Sequence, residues 1–211
     1  MSVIRRPILR CLLLAGAFMC PASVASSSAA PPPQVQMAVF RSGQWLIRAP
    51  DGSIVKRSFG QEGDLPIPAD YLGRGSAQLA VFRPSTGQWL MGASNGTVVA
   101  TVDFGQDGDL PAPGDYLGLG WAQLLVFRPS PGQWLIRDPS DPTHRKAVQG
   151  FSGENGDLPV LGDYLGLGWE QPMVFRPRTG HWLVGDRSGK IVADVRFGQS
   201  GDRPAPAAYP F

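Results

Sequence analysis

In short runs of this sequence, every second residue is hydrophobic and the residues between them are of mixed polarity. Val98, Ala100, Val102 and Phe104 fall on one parity of residues 98–104, and residues 191–197 repeat the pattern. A period of two predicts β-strands whose two faces meet different surroundings. Asn95-Gly96 and Ser188-Gly189 precede these runs and predict tight hairpin turns, because glycine and asparagine accept a positive φ.

The strand pattern belongs to a repeat that occurs four times. Each unit has a hydrophobic run ending in Phe-Arg, a glycine turn followed by tryptophan, a longer alternating run and a Gly-Asp pair. The four phenylalanines are 42, 45 and 48 residues apart. A period of about 45 residues built from short strands predicts a propeller blade, whereas a helical solenoid needs long runs without glycine or proline. The repeated landmarks are Phe40, Phe82, Phe127 and Phe175, Trp45, Trp89, Trp134 and Trp182, and Asp64, Asp109, Asp157 and Asp202.

Each unit also contains a segment in which proline alternates with other residues. Examples are Leu65-Pro66-Ile67-Pro68 and Leu110-Pro111-Ala112-Pro113, and the chain ends on a similar segment from Arg203 to Pro206. Proline cannot donate to a β-ladder, so these segments predict edge strands. In a propeller the innermost strand of each blade is such an edge. The composition agrees, since 27 glycines and 21 prolines exclude a helical bundle.

Residues 104–134 together resemble the FG-GAP/VCBS repeats of bacterial secreted proteins, which are related to integrin-type propeller blades. The resemblance extends over residues 34–211 and implies an all-β fold, a small β-propeller of four blades with four strands each. On that frame the chain enters at a second strand, residues 35–41, and ends on a first strand, residues 204–209. We therefore expect these two segments to pair and close the ring.

The loops that would hold calcium in that family depart from its pattern. They begin Asp-Tyr-Leu-Gly, cover residues 70–75, 115–120 and 163–168, and are called the DYLG loops below. Each keeps one aspartate, Asp70, Asp115 or Asp163, where the family has several carboxylates, and calcium needs six to eight oxygen ligands. We therefore expect neither calcium nor another cofactor. Either the loop leucines fill the former ion site, which we favour, or they are exposed with Trp121 and Trp169 as a contact surface.

The N-terminus indicates export. Arginines precede an apolar run from Ile8 to Met19, and small residues follow it, so residues 1–25 are interpreted as a cleaved secretory signal and residues 26–33 as a flexible leader. Cleavage removes both cysteines, Cys11 and Cys20, and changes the formal charge from +2 to −1. The predicted location is secreted or periplasmic, with no membrane span after cleavage. A charge near zero without a basic cluster also argues against nucleic acid as a partner.

The candidate binding residues lie in the repeated loops. The Gly-Asp loops, residues 60–64, 105–109, 153–157 and 198–202, offer Gln61, Asp64, Gln106 and Asp109, and we expect them on the same face as the turns that follow each Phe-Arg. The DYLG loops, with Trp121 and Trp169, should lie on the other face. The repeated arginines could form an anion-binding ring, but pairing with the Gly-Asp aspartates across adjacent blades is the preferred interpretation. Blade packing is preferred for the four tryptophans of the repeat.

Catalytic signatures are scarce. The mature sequence has no cysteine, only His144 and His181 as histidines, and none of the nucleophile, metalloprotease or phosphate-binding motifs. The expected function is a non-catalytic binding module that recognises a protein or a glycan through loops between blades. The alternatives are a lectin that stacks sugars on Trp121 and Trp169, a polysaccharide hydrolase or lyase that uses the recurring aspartates, and assembly of the chain in pairs.

Overall fold

The computed structural model describes residues 36–137, 146–160 and 162–204. The proposed signal and leader, and residues 205–211, lie outside these ranges. The described residues all belong to one compact unit. No helix in the described part is long and apolar enough to cross a membrane.

The described chain consists of β-strands in four antiparallel sheets, which confirms the all-β prediction. The first sheet has three strands and each of the others has four, in the orders β1-β2-β3, β4-β5-β6-β7, β11-β10-β9-β8 and β12-β13-β14-β15. The strands are β1 Ala38–Arg41, β2 Gln44–Arg48, β3 Ile54–Ser58, β4 Leu65–Pro66, β5 Leu79–Arg83, β6 Gln88–Gly92, β7 Val98–Asp103, β8 Leu110–Pro111, β9 Leu125–Arg128, β10 Gln133–Ile136, β11 Lys146–Ser152, β12 Leu158–Val160, β13 Met173–Arg176, β14 His181–Gly185 and β15 Ile191–Arg196.

The proline-containing segments occupy sheet edges, as the sequence predicts. The strands β4, β8 and β12 are two or three residues long, and each pairs on one side only, with β5, β9 and β13. An edge position tolerates the missing N–H groups, because only one side of the strand needs hydrogen bonds. The first sheet has no such strand in the described residues, and the segment predicted to supply it lies almost entirely outside them.

Hydrophobic cores fill the spaces between successive sheets. One cluster joins Trp45 and Phe59 of the first repeat to Val81 of the second sheet. A second joins the second and third sheets, and a third joins the third and fourth. The indole N–H of Trp45 donates to the carbonyl of Phe59 at 3.0 Å, and that of Trp89 donates to the carbonyl of Phe104 at 2.7 Å. Trp45, Trp89 and Trp134 are buried, which confirms the packing prediction for these three, whereas Trp182 in the last sheet is half-buried.

The two ends of this series are not covered by another sheet. Phe197, at the end of the last repeat, is 74% exposed, whereas its counterpart Phe59 is 4% exposed. Val39 in β1 is 57% exposed, whereas its counterpart Val81 in β5 is fully buried. The described residues therefore form four blade-like sheets packed in sequence, and closure into a ring is not shown.

Candidate functional site

The antiparallel order places the two kinds of loop at opposite ends of the sheets. Strand β4 leads from a Gly-Asp loop to a DYLG loop, and β5 returns to the Gly-Asp end. At that end the N–H of Phe104 donates to the carbonyl of Gly87 at 3.0 Å, so the Gly-Asp loop and the turn after Arg83 touch. As the sequence predicts, the Gly-Asp loops and the turns after Phe-Arg share one end of the sheets, and the DYLG loops lie at the other end.

The Gly-Asp loops are held by ion pairs between buried aspartates and partly exposed arginines. Arg128 binds Asp109 with two parallel hydrogen bonds, Nε to Oδ1 at 2.8 Å and a terminal nitrogen to Oδ2 at 2.9 Å. The N–H of Gln106 also donates to Asp109 Oδ2, at 3.0 Å. Such bidentate, charge-assisted pairs are among the strongest polar contacts in proteins. The hydrogen bonds to aspartate raise the pKa of the arginines above its usual value. The three pairs are Asp64 with Arg83, Asp109 with Arg128 and Asp157 with Arg176.

Each aspartate directly precedes the edge strand of a sheet, and its arginine ends the neighbouring strand of the same sheet, as Asp64 precedes β4 and Arg83 ends β5. The predicted pairing of arginine with the Gly-Asp aspartates is confirmed for these three, but each pair lies beside two neighbouring strands of one sheet rather than across adjacent blades. Asp64 and Asp109 are buried with their oxygens bound, so their carboxylates are not presented to a ligand. The other candidates on this face, Gln61 and Gln106, have exposed side chains.

A pocket of ≈ 240 Å³ opens between the Gly-Asp loop of residues 153–157 and the turn after Arg176. Its lining includes Glu154, Asp157, Arg176, Arg178 and Ser200. The two carboxylates of this lining both bind Arg176, Asp157 through two contacts of 2.9 Å and Glu154 through one of 3.0 Å. Neither acid is free of an ion pair, which weakens the case for a carboxylate pair that performs hydrolysis here.

In the DYLG loops one aspartate accepts hydrogen bonds from several backbone N–H groups of the same loop. The carboxylate of Asp163 accepts the N–H groups of Leu167 at 2.9 Å and Gly168 at 2.7 Å. A hydrogen bond from Gln171, together with these backbone donors, lowers the pKa of Asp163 below its usual value. Asp115 accepts the N–H groups of Leu119 and Gly120 in the same way, both at 2.7 Å.

A glutamine amide closes each DYLG loop. Gln171 is fully buried, and its Nε2 donates to Asp163 Oδ1 at 3.0 Å and to the carbonyl of Trp169. Its Oε1 accepts the N–H groups of Tyr164 at 2.7 Å and Leu165 at 3.1 Å. The amide N–H groups thus satisfy a carboxylate and a carbonyl oxygen, the two oxygen types that a calcium ion would bind. Gln78 and Gln123 make the corresponding contacts.

The leucines of these loops do not fill the centre of the loop, and the favoured packing interpretation is wrong for most of them. Leu119 is 50% and Leu167 53% exposed, and Leu72 and Leu165 are also exposed. Leu117 is half-buried against the core. The reason is that the glutamine amide already occupies the middle of the loop, so the leucine side chains are left at the surface. No group of three or more His, Cys, Asp or Glu residues in the described ranges could hold a metal ion.

Trp121 and Trp169 lie at the seams between successive DYLG loops. Trp121 lies against Gly73 of the preceding loop, and Trp169 lies against Gly118. The backbone is also joined there, since the N–H of Glu170 donates to the carbonyl of Asp115 at 3.0 Å. The guanidinium of Arg187 stands 4.1 Å from the centre of the Trp169 ring and covers it. Both indoles are half-buried rather than free for stacking.

Glu170 is a site residue that the repeat analysis missed. It occupies the position of Ala77 and Ala122 in the other repeats, and that break in the pattern is the signal that could have revealed it. Its carboxylate accepts the N–H of Asp115 at 2.8 Å. Burial raises the pKa of Glu170, and the charges of Asp115 and Asp163 raise it further. The hydroxyl of Tyr116 nearby is buried with no hydrogen-bond partner among the described residues.

The sequence matches no family model and no curated protein. Its structure is similar to the crystal structure of a protein of unknown function from Bacteroides caccae, with a TM-score of 0.50 and 14% sequence identity. The similarity covers 78% of this chain and 58% of that one, so the chain spans less than two thirds of the matched protein. At this identity the match concerns the fold alone and agrees with four repeated antiparallel sheets.

Proposed function

We propose that this chain is a secreted or periplasmic, non-catalytic binding module of the propeller type, similar to FG-GAP/VCBS proteins, which binds a protein partner through its DYLG face. The observation that carries the proposal is a set of exposed apolar side chains on that face. The set comprises Leu72, Leu119, Tyr164, Leu165 and Leu167. Grouped apolar side chains on a surface favour an interaction site, because isolated ones are the usual pattern.

The rigidity of the DYLG loops supports this proposal. Leu119 and Leu167 each have a backbone N–H bound to the aspartate of their own loop, at 2.7 and 2.9 Å. The buried glutamine fixes the same loop from the other side. A partner would therefore bind leucines whose backbone is already ordered, which lowers the entropic cost of association.

A protein partner accounts for this face better than a glycan does. Sugar binding by stacking requires an open aromatic face, yet Arg187 covers Trp169, and Trp121 lies against Gly73. Aliphatic leucines contribute little to sugar recognition but are effective in contacts with apolar protein side chains. The hydrolase or lyase alternative has weaker support, since the recurring aspartates Asp64, Asp109 and Asp157 are all bound to arginine.

Capture from envelope and host-surface extracts tests the proposal. The wild-type protein is immobilised beside a Leu119→Ser/Leu167→Ser variant and a Gln61→Ala/Gln106→Ala variant that changes the opposite face. We expect the same proteins on the wild type and on the glutamine variant, and none of them on the leucine variant. Equal capture by all three would contradict the proposal. Glycan-array binding that disappears with Trp121→Ala/Trp169→Ala would favour the lectin alternative.

A further inference from the structure

The three internal junctions between sheets share one design that combines charge and apolar packing. At each junction the aspartate of the linking Gly-Asp loop binds an arginine that ends the second strand of the following sheet, beside the edge strand that begins directly after the aspartate. At two of them a phenylalanine after the last strand of a sheet, Phe59 or Phe104, is buried. Phe59 lies directly against Gly92 of the next sheet, which leaves no space for a side chain there.

The last repeat has the aspartate and the phenylalanine of such a junction, but no following sheet among the described residues contacts them. In its Gly-Asp loop the N–H of Gln199 donates to Asp202 Oδ2 at 2.9 Å, as that of Gln106 donates to Asp109 at 3.0 Å. Asp202 thus accepts the same backbone hydrogen bond within its loop as the paired aspartates do. It has no arginine partner among the described residues. The neighbouring Phe197, and Val195 two residues earlier, are exposed.

The first sheet carries the other half. Arg41 ends β1 as Arg83 ends β5, but no ion pair of Arg41 exists in the described part of the chain. Met37 and Val39 are exposed, although the matching residues Leu79 and Val81 are buried in the interior. The two end faces are complementary: one has the aspartate and the phenylalanine, and the other has the arginine and the apolar residues that these groups contact at the formed junctions.

We propose that the two end faces meet between two copies of this chain, so that Arg41 of each copy binds Asp202 of the other and the phenylalanine face of one covers Met37 and Val39 of the other. Both faces are uncovered in the single chain, although each group that a junction needs is present. A head-to-tail contact leaves no unpaired face only when it closes into a ring. Two copies of four sheets make eight, which is within the range of about four to eight blades known for propellers.

The free edge of β1 fits the same arrangement. In the second sheet, Leu65 and Pro66 follow Asp64 directly and pair with Phe82 and Val81. Arg203 and Pro204 follow Asp202 in the same way. Docking of Asp202 on Arg41 of another copy would bring these residues to the unpaired edge of β1, where the sheet lacks a fourth strand in the described residues.

Charge reversal with mixing tests the proposal. The purified protein, Arg41→Asp and Asp202→Arg are measured separately and as an equimolar mixture of the two variants by sedimentation velocity. We expect a dimer for the wild type and a dissociation constant at least about a hundredfold higher for each variant, because like charges then face each other at both junctions. The mixture should dimerise again, because both of its junctions hold one aspartate and one arginine. Arg74→Asp, on the DYLG face, should dimerise as the wild type does.

Closure within one chain gives a different result. The wild type is then a monomer, each single variant loses stability, the double variant Arg41→Asp/Asp202→Arg recovers it, and mixing has no effect. That result overturns the proposal, as would single variants that dimerise normally or a wild type that forms open-ended polymers. The two-copy junction does not depend on the DYLG face, so its failure leaves the proposed function standing.

Discussion

Gln171 donates a hydrogen bond from Nε2 to Oδ1 of Asp163 at 3.0 Å, and the same amide is fully buried at the centre of its loop. Two backbone N–H groups bind its oxygen on the other side. One uncharged side chain thus links the first and last parts of the loop through hydrogen bonds. The leucines of the loop are consequently exposed rather than drawn inward.

Removal of this amide should destabilise the fold. Gln171→Ala removes the amide's hydrogen bond to Asp163 and both hydrogen bonds that its Oε1 accepts from backbone N–H groups, and we expect the free energy of unfolding to fall by about 2 to 3 kcal/mol. Urea denaturation followed by tryptophan fluorescence measures the change. Gln106→Ala, at an exposed glutamine, is the matched control and should differ from the wild type by less than about 0.5 kcal/mol. Equal stabilities of the two variants would show that the amide is dispensable.

Chelation should leave the wild-type protein unaffected. Because the amide satisfies the loop oxygens, we expect the same thermal midpoint in EDTA and in millimolar calcium. Gln171→Glu is the positive control, since it places a second carboxylate beside Asp163 and should gain stability from calcium. A wild-type midpoint that drops by several degrees in EDTA would refute this description of the loops.

Loss of an arginine that pairs with a buried aspartate should cost more than loss of an exposed arginine. Arg128→Ala leaves the Asp109 carboxylate buried without its charge partner, and we expect a loss of about 3 to 5 kcal/mol. Arg74→Ala, at an exposed arginine, should cost little. Asp109→Asn combined with Arg128→Ala should recover part of the loss, because no unpaired charge is then buried. Chemical denaturation of the four proteins decides between these outcomes.

Glu170 should make stability depend on pH in the mildly acidic range. Its pKa is raised in the folded state, chiefly by burial, so folding favours the protonated form. Stability from this group is therefore fully present below the usual carboxyl pKa of 4.5 and decreases as the pH rises through the raised folded pKa. Glu170→Gln should remove this decrease and be relatively more stable at pH 7 than at pH 4, whereas the exposed control Glu62→Gln should follow the wild type. Parallel curves for all three proteins would exclude the effect.

Much of the fold could be predicted from the sequence because the repeat is regular. Phe82, Trp89 and Arg83 each have counterparts at fixed spacing, so the recurrence of one sheet per repeat, tryptophan packing and arginine pairing follow from the repeat itself. The edge position of Leu65–Pro66 follows from the missing N–H of proline.

The site was harder to predict because it depends on three-dimensional competition for space. Hydrophobicity alone suggested that the loop leucines pack inward, but the side chain buried in the loop is that of Gln171. The covering of Trp169 by Arg187 joins residues of two separate segments and has no local sequence signal. Pairing of residues 204–209 with β1 within one chain stays a prediction, and the exposed Phe197 and Val39 are the reason we favour pairing between two copies.

The binding claim is tested most directly by photo-crosslinking in living cells. A photoreactive residue is placed at Leu119 on the DYLG face or at Gln106 on the opposite face, in the protein expressed by its own organism. We predict that irradiation joins a distinct partner protein to the Leu119 derivative and that the Gln106 derivative does not form this product. Crosslinking of the same partner from Gln106 but not from Leu119 would contradict the account.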